Sequence, residues 1–365
     1  MKAAVLFETK KPLQVVDVDL APPGAHEVRV KVKAAGLCQS DWHMMNGDWP
    51  IQLPMVLGHE AAGIVREIGS EVRGIAVGDH IIFSFTGHCD RCRYCASGRS
   101  VLCNGYAAAP QGTLLDGTTR MSVKGQGVRQ MARIGCFSEE VVVPADRAIP
   151  IRKDMPFTHA ALVSCAVTTG VGAVTRHAMV EPGATMLVIG CGGVGLNVVQ
   201  GGRLAGAGKI IACDVLDNKL DMARHFGATD VINSSRENVA ERVRAIVGGP
   251  GVDYAFDTVA IDKTLSVAID AIAPGGRTVT VGVPAATMLA SFSPFALVLQ
   301  EKTISGTFYG SSRPSIDFPR LVDHSMANRL NLGDLISRTY ALDEINKGFD
   351  AMMSGEVARG VVVFN

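Results

Sequence analysis

The segment Gly190-Cys191-Gly192-Gly193-Val194-Gly195 constrains the fold of this chain more than any other stretch. It reads G-x-G-x-x-G, and the residues around it agree with it. TMLVIG at 185–190 has the composition of a buried strand, and GLNVVQGGRLAGA at 195–207 has helical spacing. A second strand, KIIACD at 209–214, ends on Asp214, 19 residues past Gly195. Such a strand–turn–helix unit aims backbone N–H groups and the positive end of a helix at a pyrophosphate, and the later acid accepts from ribose hydroxyls. Gly190 permits the tight turn, Gly192 lets the backbone approach the pyrophosphate, and Gly195 lets helix and strand pack closely. Asp214 repels a 2′-phosphate, and the next residues, Val215 and Leu216, offer no cation, so NAD is favoured over NADP. The bland alternative is a glycine-rich turn without a ligand. Agreement of every element in register argues against it. Cys191 inside the motif reads as a small filler.

The same rhythm continues on both sides of this unit. DNKLDMARHFGA (217–228) reads as a helix, and DVIN (230–233), VDYAFDTV (252–259) and RTVTVGV (277–283) as strands. Strands alternating with helices imply a parallel sheet. Before about residue 165 the pattern differs. VRVKVKAAG (28–36), AAGIVREIG (61–69) and DHIIFSF (79–85) read as short β segments, with a turn at Pro22-Pro23-Gly24. A helix is expected at 317–329, and the tail ends in the strand GVVVF (360–364). A length of 365 residues suits two or three domains. Hydrophobic residues make up 47% and charged residues 19%, which excludes a disordered chain. Lys plus Arg and Asp plus Glu are both 35, and this zero balance argues against a nucleic-acid or anionic-membrane partner. The apolar run 185–199 is broken by four glycines and Asn197, so no membrane span is expected. The five-residue apolar run after Lys2 is too short for a signal-peptide core, so a cytoplasmic location is expected.

Cysteine usage points to metal. Of nine cysteines, Cys89, Cys92, Cys95 and Cys103 fall within 15 residues at C-x2-C-x2-C-x7-C spacing. Four thiolates on one loop satisfy tetrahedral zinc and leave no position open for chemistry. A [4Fe–4S] cluster also takes four cysteines, but the third gap is longer than in the ferredoxin run and Asn104 stands where that run has proline. Cys38, His59 and Cys165 lie far apart in sequence, in GLCQSDWH, GHEAAG and SCAVTTGVGA. Alone, each reads as a core cysteine or a satisfied histidine. Together, two thiolates and an imidazole suit a zinc with its fourth position free for an alcohol or aldehyde oxygen.

Along its whole length the chain resembles the zinc-dependent medium-chain alcohol dehydrogenases. The matching motifs are G-L-C-x-S-D-x-H at 36–43, G-H-E at 58–60, the four-cysteine lobe, the Cys165 segment, G-x-G-G-V-G at 190–195, and G-F-D…S-G-E…R at 348–359. Gln111–Gly135, with G-T-x-x-D-G-T-T-R, looks like the longer-chain branch. The resemblance implies an α/β chain with a mostly-β GroES-like catalytic domain, 1–166 and 311–365, and a Rossmann doubly wound parallel-sheet coenzyme domain, 167–310. It implies a catalytic zinc on Cys38, His59 and Cys165 and a structural zinc on Cys89, Cys92, Cys95 and Cys103. Asp41 matches an acid that orients the histidine, and Glu60 a carboxylate beside the metal. Ser40 and His43 match a proton relay. Gly190, Gly192, Gly193 and Gly195 match the pyrophosphate turn. Asp214 and Lys219 match adenosine-ribose contacts, Val194 and Thr169 residues on the two sides of the nicotinamide, and Arg359 a pyrophosphate contact. The position after Cys38 often carries Arg or His in the family; here it is Gln39, which weakens the expected grip on the cofactor. Trp49 and Phe85 match the substrate-channel walls, and Met131 reads equally as wall or core.

The activity implied is hydride transfer between NAD(H) and a primary alcohol–aldehyde pair, medium-chain or aromatic, in a homodimer or homotetramer. The alternative of the same fold is a thiol-adduct formaldehyde dehydrogenase. That reaction needs a cation for the adduct's carboxylates, and the loop NGYAAAPQG after Cys103 holds none. A non-enzymatic zinc or nucleotide-binding protein is a third reading, but its open ligand and relay positions would then not all be filled.

Overall fold

Strand Glu27–Gly36 alternates apolar and basic residues, and its Val28, Val30 and Val32 are fully buried while the lysines face outward. That period-two pattern makes it the centre of the first sheet. It pairs antiparallel with Ala61–Ile68, with Glu140–Pro144 and, at its end, with the C-terminal strand Arg359–Val363. The C-terminal strand thus joins the sheet built around Glu27–Gly36. A second six-stranded sheet includes Lys2–Leu6, Met55–Val56 and the hairpin Met121–Val123/Gln126–Gln130. The two share one apolar core that includes Leu6, Val65, Phe83, Phe137 and Phe349.

The computed structural model describes residues 1–105 and 108–365, which form two units: Met1–Cys165 with Arg313–Asn365, and Ala166–Ser312. Tyr106 and Ala107, in the loop NGYAAAPQG, lie outside the described residues.

The second unit holds a six-stranded parallel sheet. Numbered in chain order, Thr185–Ile189, Lys209–Asp214, Asp230–Asn233, Val252–Asp257, Ile272–Thr280 and Thr303–Gly306 lie side by side as 3-2-1-4-5-6, the doubly wound order of dinucleotide-binding sheets. Leu187, Ile211, Ile232 and Ala255 fill a separate core under helices such as Val239–Val247. In such a sheet, ligands bind beyond the carboxyl ends of the strands where the strand order reverses, here at the end of Thr185–Ile189.

Four features depart from the sequence reading. The motif G-L-C-x-S-D-x-H, expected among β segments, turns into a helix at Gln39–Asn46. Asp41 Oδ2 accepts from the Cys38 N–H at 3.2 Å and Gly47, at φ +79°, stops it after two turns. The tail helix begins at Pro314, three residues earlier than expected, because Asp317 Oδ2 accepts from the Arg313 N–H at 2.6 Å. A further helix, Ile345–Met353, was not foreseen. Among the described residues, the helix long and apolar enough to raise the question of a membrane span is Phe157–Ala178 rather than 185–199. Its 22 residues would suffice to cross a membrane by length and composition, but most of it is buried in the protein, as in a core helix.

Candidate functional site

The first unit gathers Cys38, His59, Glu60 and Cys165 from three separate segments, with one ligand atom of each within 4.8 Å of all the others. All four are buried. Each position has a local cause. Cys38 caps the helix Gln39–Asn46, and Cys165 follows the helix Phe157–Leu162. His59 and Glu60 directly precede strand Ala61–Ile68, where the Gly36 N–H donates to the Glu60 carbonyl at 2.7 Å. Gly36 is obligatory for close approach: a Cβ there would collide with the Glu60 carboxylate.

Asp41 ties the set together. Its Oδ1 lies 3.4 Å from His59 Nδ1 and accepts from the Gly58 N–H at 3.0 Å, so the carboxylate orients the imidazole. Burial alone would depress the His59 pKa, but Asp41 and Cys38 raise it well above the usual imidazole value. The Cys165 thiol, hydrogen-bonded to Cys38, lowers the Cys38 pKa well below that of an ordinary thiol against the cost of burial, and Cys165 is raised in return. Burial pushes Glu60 up to about 7 against the opposing pull of Arg359. Arg359, itself buried, donates from Nη2 to Glu60 Oε1. Two soft sulfurs, one imidazole and a neighbouring carboxylate, all withdrawn from water, fit zinc.

The residues around this set follow. Ser40 Oγ is 3.7 Å from Cys38 Sγ. His43 holds Asp48 Oδ2 through Nδ1 at 2.7 Å and stacks on Trp49 with ring centroids 5.0 Å apart. Phe85 meets the His59 ring edge-on at 5.4 Å. Met131 is buried in the β core, in keeping with the core reading of this residue. Ser164, which sequence reasoning missed, bonds the carbonyl oxygens of His59 and Phe83. Its place beside Cys165 was the one available signal.

Cys89, Cys92, Cys95 and Cys103 form a second donor group, their sulfurs again within 4.8 Å of one another. The Sγ atoms of Cys92 and Cys103 stand 3.9 Å apart, close to the edge of a tetrahedron with Zn–S bonds of about 2.3 Å. The Cys95 N–H points at Cys92 Sγ at 3.5 Å and lowers that thiol to about 6, while burial raises Cys103 to about 12. Backbone donors aimed at sulfur suit thiolates on a metal.

In the second unit the glycine turn stands as the spacing predicts. Helix Gly193–Ala205 begins directly after Gly192, and Gly190 adopts φ +88°. A Cβ at Gly195 would collide with the Gly190 carbonyl oxygen, whereas at Gly192 a Cβ would meet open space. That space over a 13-residue helix's N-terminus fits a pyrophosphate. Asp214 Oδ2 accepts from the Cys191 N–H at 2.8 Å, and Oδ1 from Val215 and Leu216 at 2.8 and 3.1 Å. The carboxylate is fixed at the end of its strand with lone pairs to spare. Lys219 lies on the following helix, Asp217–Phe226. Gly170, next to Thr169, packs against the Val194 backbone: a Cβ there would sit 2.6 Å from the Val194 carbonyl oxygen. Arg359 belongs to the other unit. Gly195→Ala should destabilise this unit by about 1–3 kcal/mol through overpacking. Thermal melting and NADH titration check this; an unshifted melt with unchanged NADH affinity would contradict it.

Residues 24–153 match the alcohol dehydrogenase GroES-like domain and residues 193–326 the zinc-binding dehydrogenase domain. The chain is 40% identical to an S-(hydroxymethyl)glutathione dehydrogenase of Paracoccus denitrificans, over 100% of this chain and 99% of the relative. Its fold superposes on a zinc-binding alcohol dehydrogenase domain protein from Burkholderia ambifaria with a TM-score of 0.95 at 32% identity, covering 100% and 98% of the two chains. Benzyl alcohol dehydrogenase from Acinetobacter calcoaceticus gives 0.94 at 29% identity, over 100% and 99%. With its buried Cys–His–Cys donors, its four-cysteine lobe and its dinucleotide turn, the chain belongs to the zinc-dependent medium-chain alcohol dehydrogenase family.

Proposed function

We propose that this enzyme oxidises primary alcohols with medium-length or aromatic tails, and reduces the matching aldehydes, with NAD(H). The observation that carries this reading is the Phe85 ring packed edge-on at 5.4 Å against His59, a donor of the buried Cys38–His59–Cys165 set. An aromatic wall beside a polar anchor suits an apolar substrate with one oxygen. The likeness to a benzyl alcohol dehydrogenase supports it.

When bound, zinc supplies Lewis-acid polarisation of the substrate oxygen and the nicotinamide supplies the hydride acceptor. The chain does the rest. Cys38, His59 and Cys165 hold the metal, with Asp41 fixing the imidazole. Arg359 offsets the negative charge of Glu60. The Ser40 hydroxyl would relay the substrate hydroxyl proton, accepting it while giving up its own to the relay that ends at His43. With His43 Nδ1–H donating to Asp48, Nε2 is left to pass a proton to solvent. Asp214 accepts from the adenosine ribose and selects NAD.

A second reading is oxidation of a hydroxymethyl thiol adduct, favoured by the S-(hydroxymethyl)glutathione dehydrogenase relative. The test is kcat/KM across ethanol, hexanol, benzyl alcohol and a hydroxy acid, with and without glutathione plus formaldehyde, for wild type and Trp49→Ala. Burying an aromatic side chain contributes about 1.5–3 kcal/mol. Wild type should therefore prefer benzyl alcohol and hexanol to ethanol, with the hydroxy acid poor. Trp49→Ala should lower kcat/KM for benzyl alcohol about tenfold and for ethanol less. Ethanol matching benzyl alcohol would refute the apolar pocket. Turnover confined to the glutathione–formaldehyde mixture would establish the second reading.

A further inference from the structure

The short turn Ala145–Arg147 has no part in the site as described, yet it bonds the segment that carries Phe85. Arg147 is buried, unusual for a guanidinium, and its bonds explain why. Its Nη1 donates to the Phe85 carbonyl at 2.6 Å and to the Ala132 carbonyl at 3.0 Å. One nitrogen thereby joins two segments 47 residues apart. The first carries the aromatic ring that packs on His59. The second is the turn Met131–Arg133, where Ala132 and Arg133 both adopt left-handed backbone, at φ +53° and +61°. Non-glycine residues in this region are strained and persist only where surrounding contacts hold them. Arg133 is held as well, donating from Nη2 to the Ala109 carbonyl at 3.0 Å.

The rest of the turn reinforces the grip. The Arg147 carbonyl accepts from the Ser84 N–H at 2.8 Å, and Asp146 Oδ2 accepts from the His88 N–H at 2.9 Å. Residues 84–88, which carry Phe85 and lead into Cys89, are thus fastened at both ends by two adjacent side chains and one carbonyl.

We propose that Arg147 is a positioning residue for substrate selectivity: its buried guanidinium fastens the Phe85 segment to the strained Ala132–Arg133 turn, and so fixes where the Phe85 ring stands beside His59. This rests on the alcohol-oxidising reading of the site. Its Nη1 bonds go to main-chain carbonyls of Phe85 and Ala132, so its loss should alter which alcohol fits rather than whether the metal binds.

The test uses the full-length, zinc-loaded enzyme with Arg147→Met and Arg147→Lys. Methionine fills the volume and cannot donate; lysine keeps a donor and a charge but not the planar fork. In Arg147→Met, KM for benzyl alcohol should rise about tenfold with kcat within about threefold, and KM for ethanol should change less than about twofold. Arg147→Lys should recover part of the benzyl alcohol KM, and both variants should keep two zincs per chain. A non-reacting benzyl amide, titrated in the presence of NADH, should lose affinity in step with KM. Equal KM changes on both alcohols, unchanged benzyl amide affinity, or loss of zinc would overturn the proposal. If Arg147→Met does not fold, Arg147→Lys decides: wild-type KM ratios and amide affinity would refute it. The amide titration also separates the two claims. Wild type that binds the amide but oxidises no alcohol defeats the activity reading, while weakened binding in the variants still upholds the role of Arg147.

Discussion

Replacing His59 with Ala, or Cys38 with Ser, should abolish turnover while the fold survives and zinc falls from two per chain to about one. Serine can take over the cap position of Cys38, and His59 lies just before strand Ala61–Ile68, so both exchanges leave the elements in place. The remaining zinc should sit on Cys89, Cys92, Cys95 and Cys103, whose sulfurs form their own group. Without an imidazole or thiolate the substrate oxygen loses its polarising partner, and the rate should drop by about a thousandfold or more. Metal analysis alongside NADH formation reads both effects. Activity retained with one zinc would overturn the assignment of this donor set.

Changing Asp214 to Gly together with Val215 to Arg should reverse the cofactor preference. Asp214 accepts three backbone N–H bonds and presents its charge at the carboxyl end of its strand, where a 2′-phosphate would be repelled. Val215 is exposed beside it, so an arginine there is free to meet a phosphate. A hydrogen bond to a charged partner contributes about 1.5–3 kcal/mol. With repulsion removed as well, the ratio of kcat/KM for NADP over NAD should rise about a hundredfold or more. The glycine also removes the acceptor for the Cys191 N–H, so some loss of NAD affinity should accompany the switch. Wild-type preference for NADP would show the reading of Asp214 to be wrong.

How much of this was legible in the sequence depended on the range of the forces involved. The dinucleotide turn was readable because its determinants are local: glycines at fixed offsets, a strand before and a helix after. The collision awaiting a Cβ at Gly195 is the physical content of the motif's last glycine. The four-cysteine lobe was readable for the same reason, all its donors lying within 15 residues. The Cys38–His59–Cys165 set was not, because three distant segments meet only through the pairing of Glu27–Gly36 with Ala61–Ile68 and the packing behind it. Only the resemblance to a family supplied it. The helix at Gln39–Asn46 escaped notice because its cap is a cysteine bonded to Asp41, not one of the usual capping residues. Arg147 was invisible as well. A lone arginine after Asp146 reads as a surface residue until Phe85 and Ala132 are seen to converge on it.

The central claim is that a hydride passes from the carbon of a primary alcohol to the nicotinamide of NAD. The most direct measurement follows the label from α-dideuterated benzyl alcohol by mass spectrometry, using the zinc-loaded enzyme and NAD without added thiol. The account predicts NADH carrying one deuterium and an equal amount of monodeuterated benzaldehyde. Unlabelled NADH, or no NADH until a thiol is added, would contradict it.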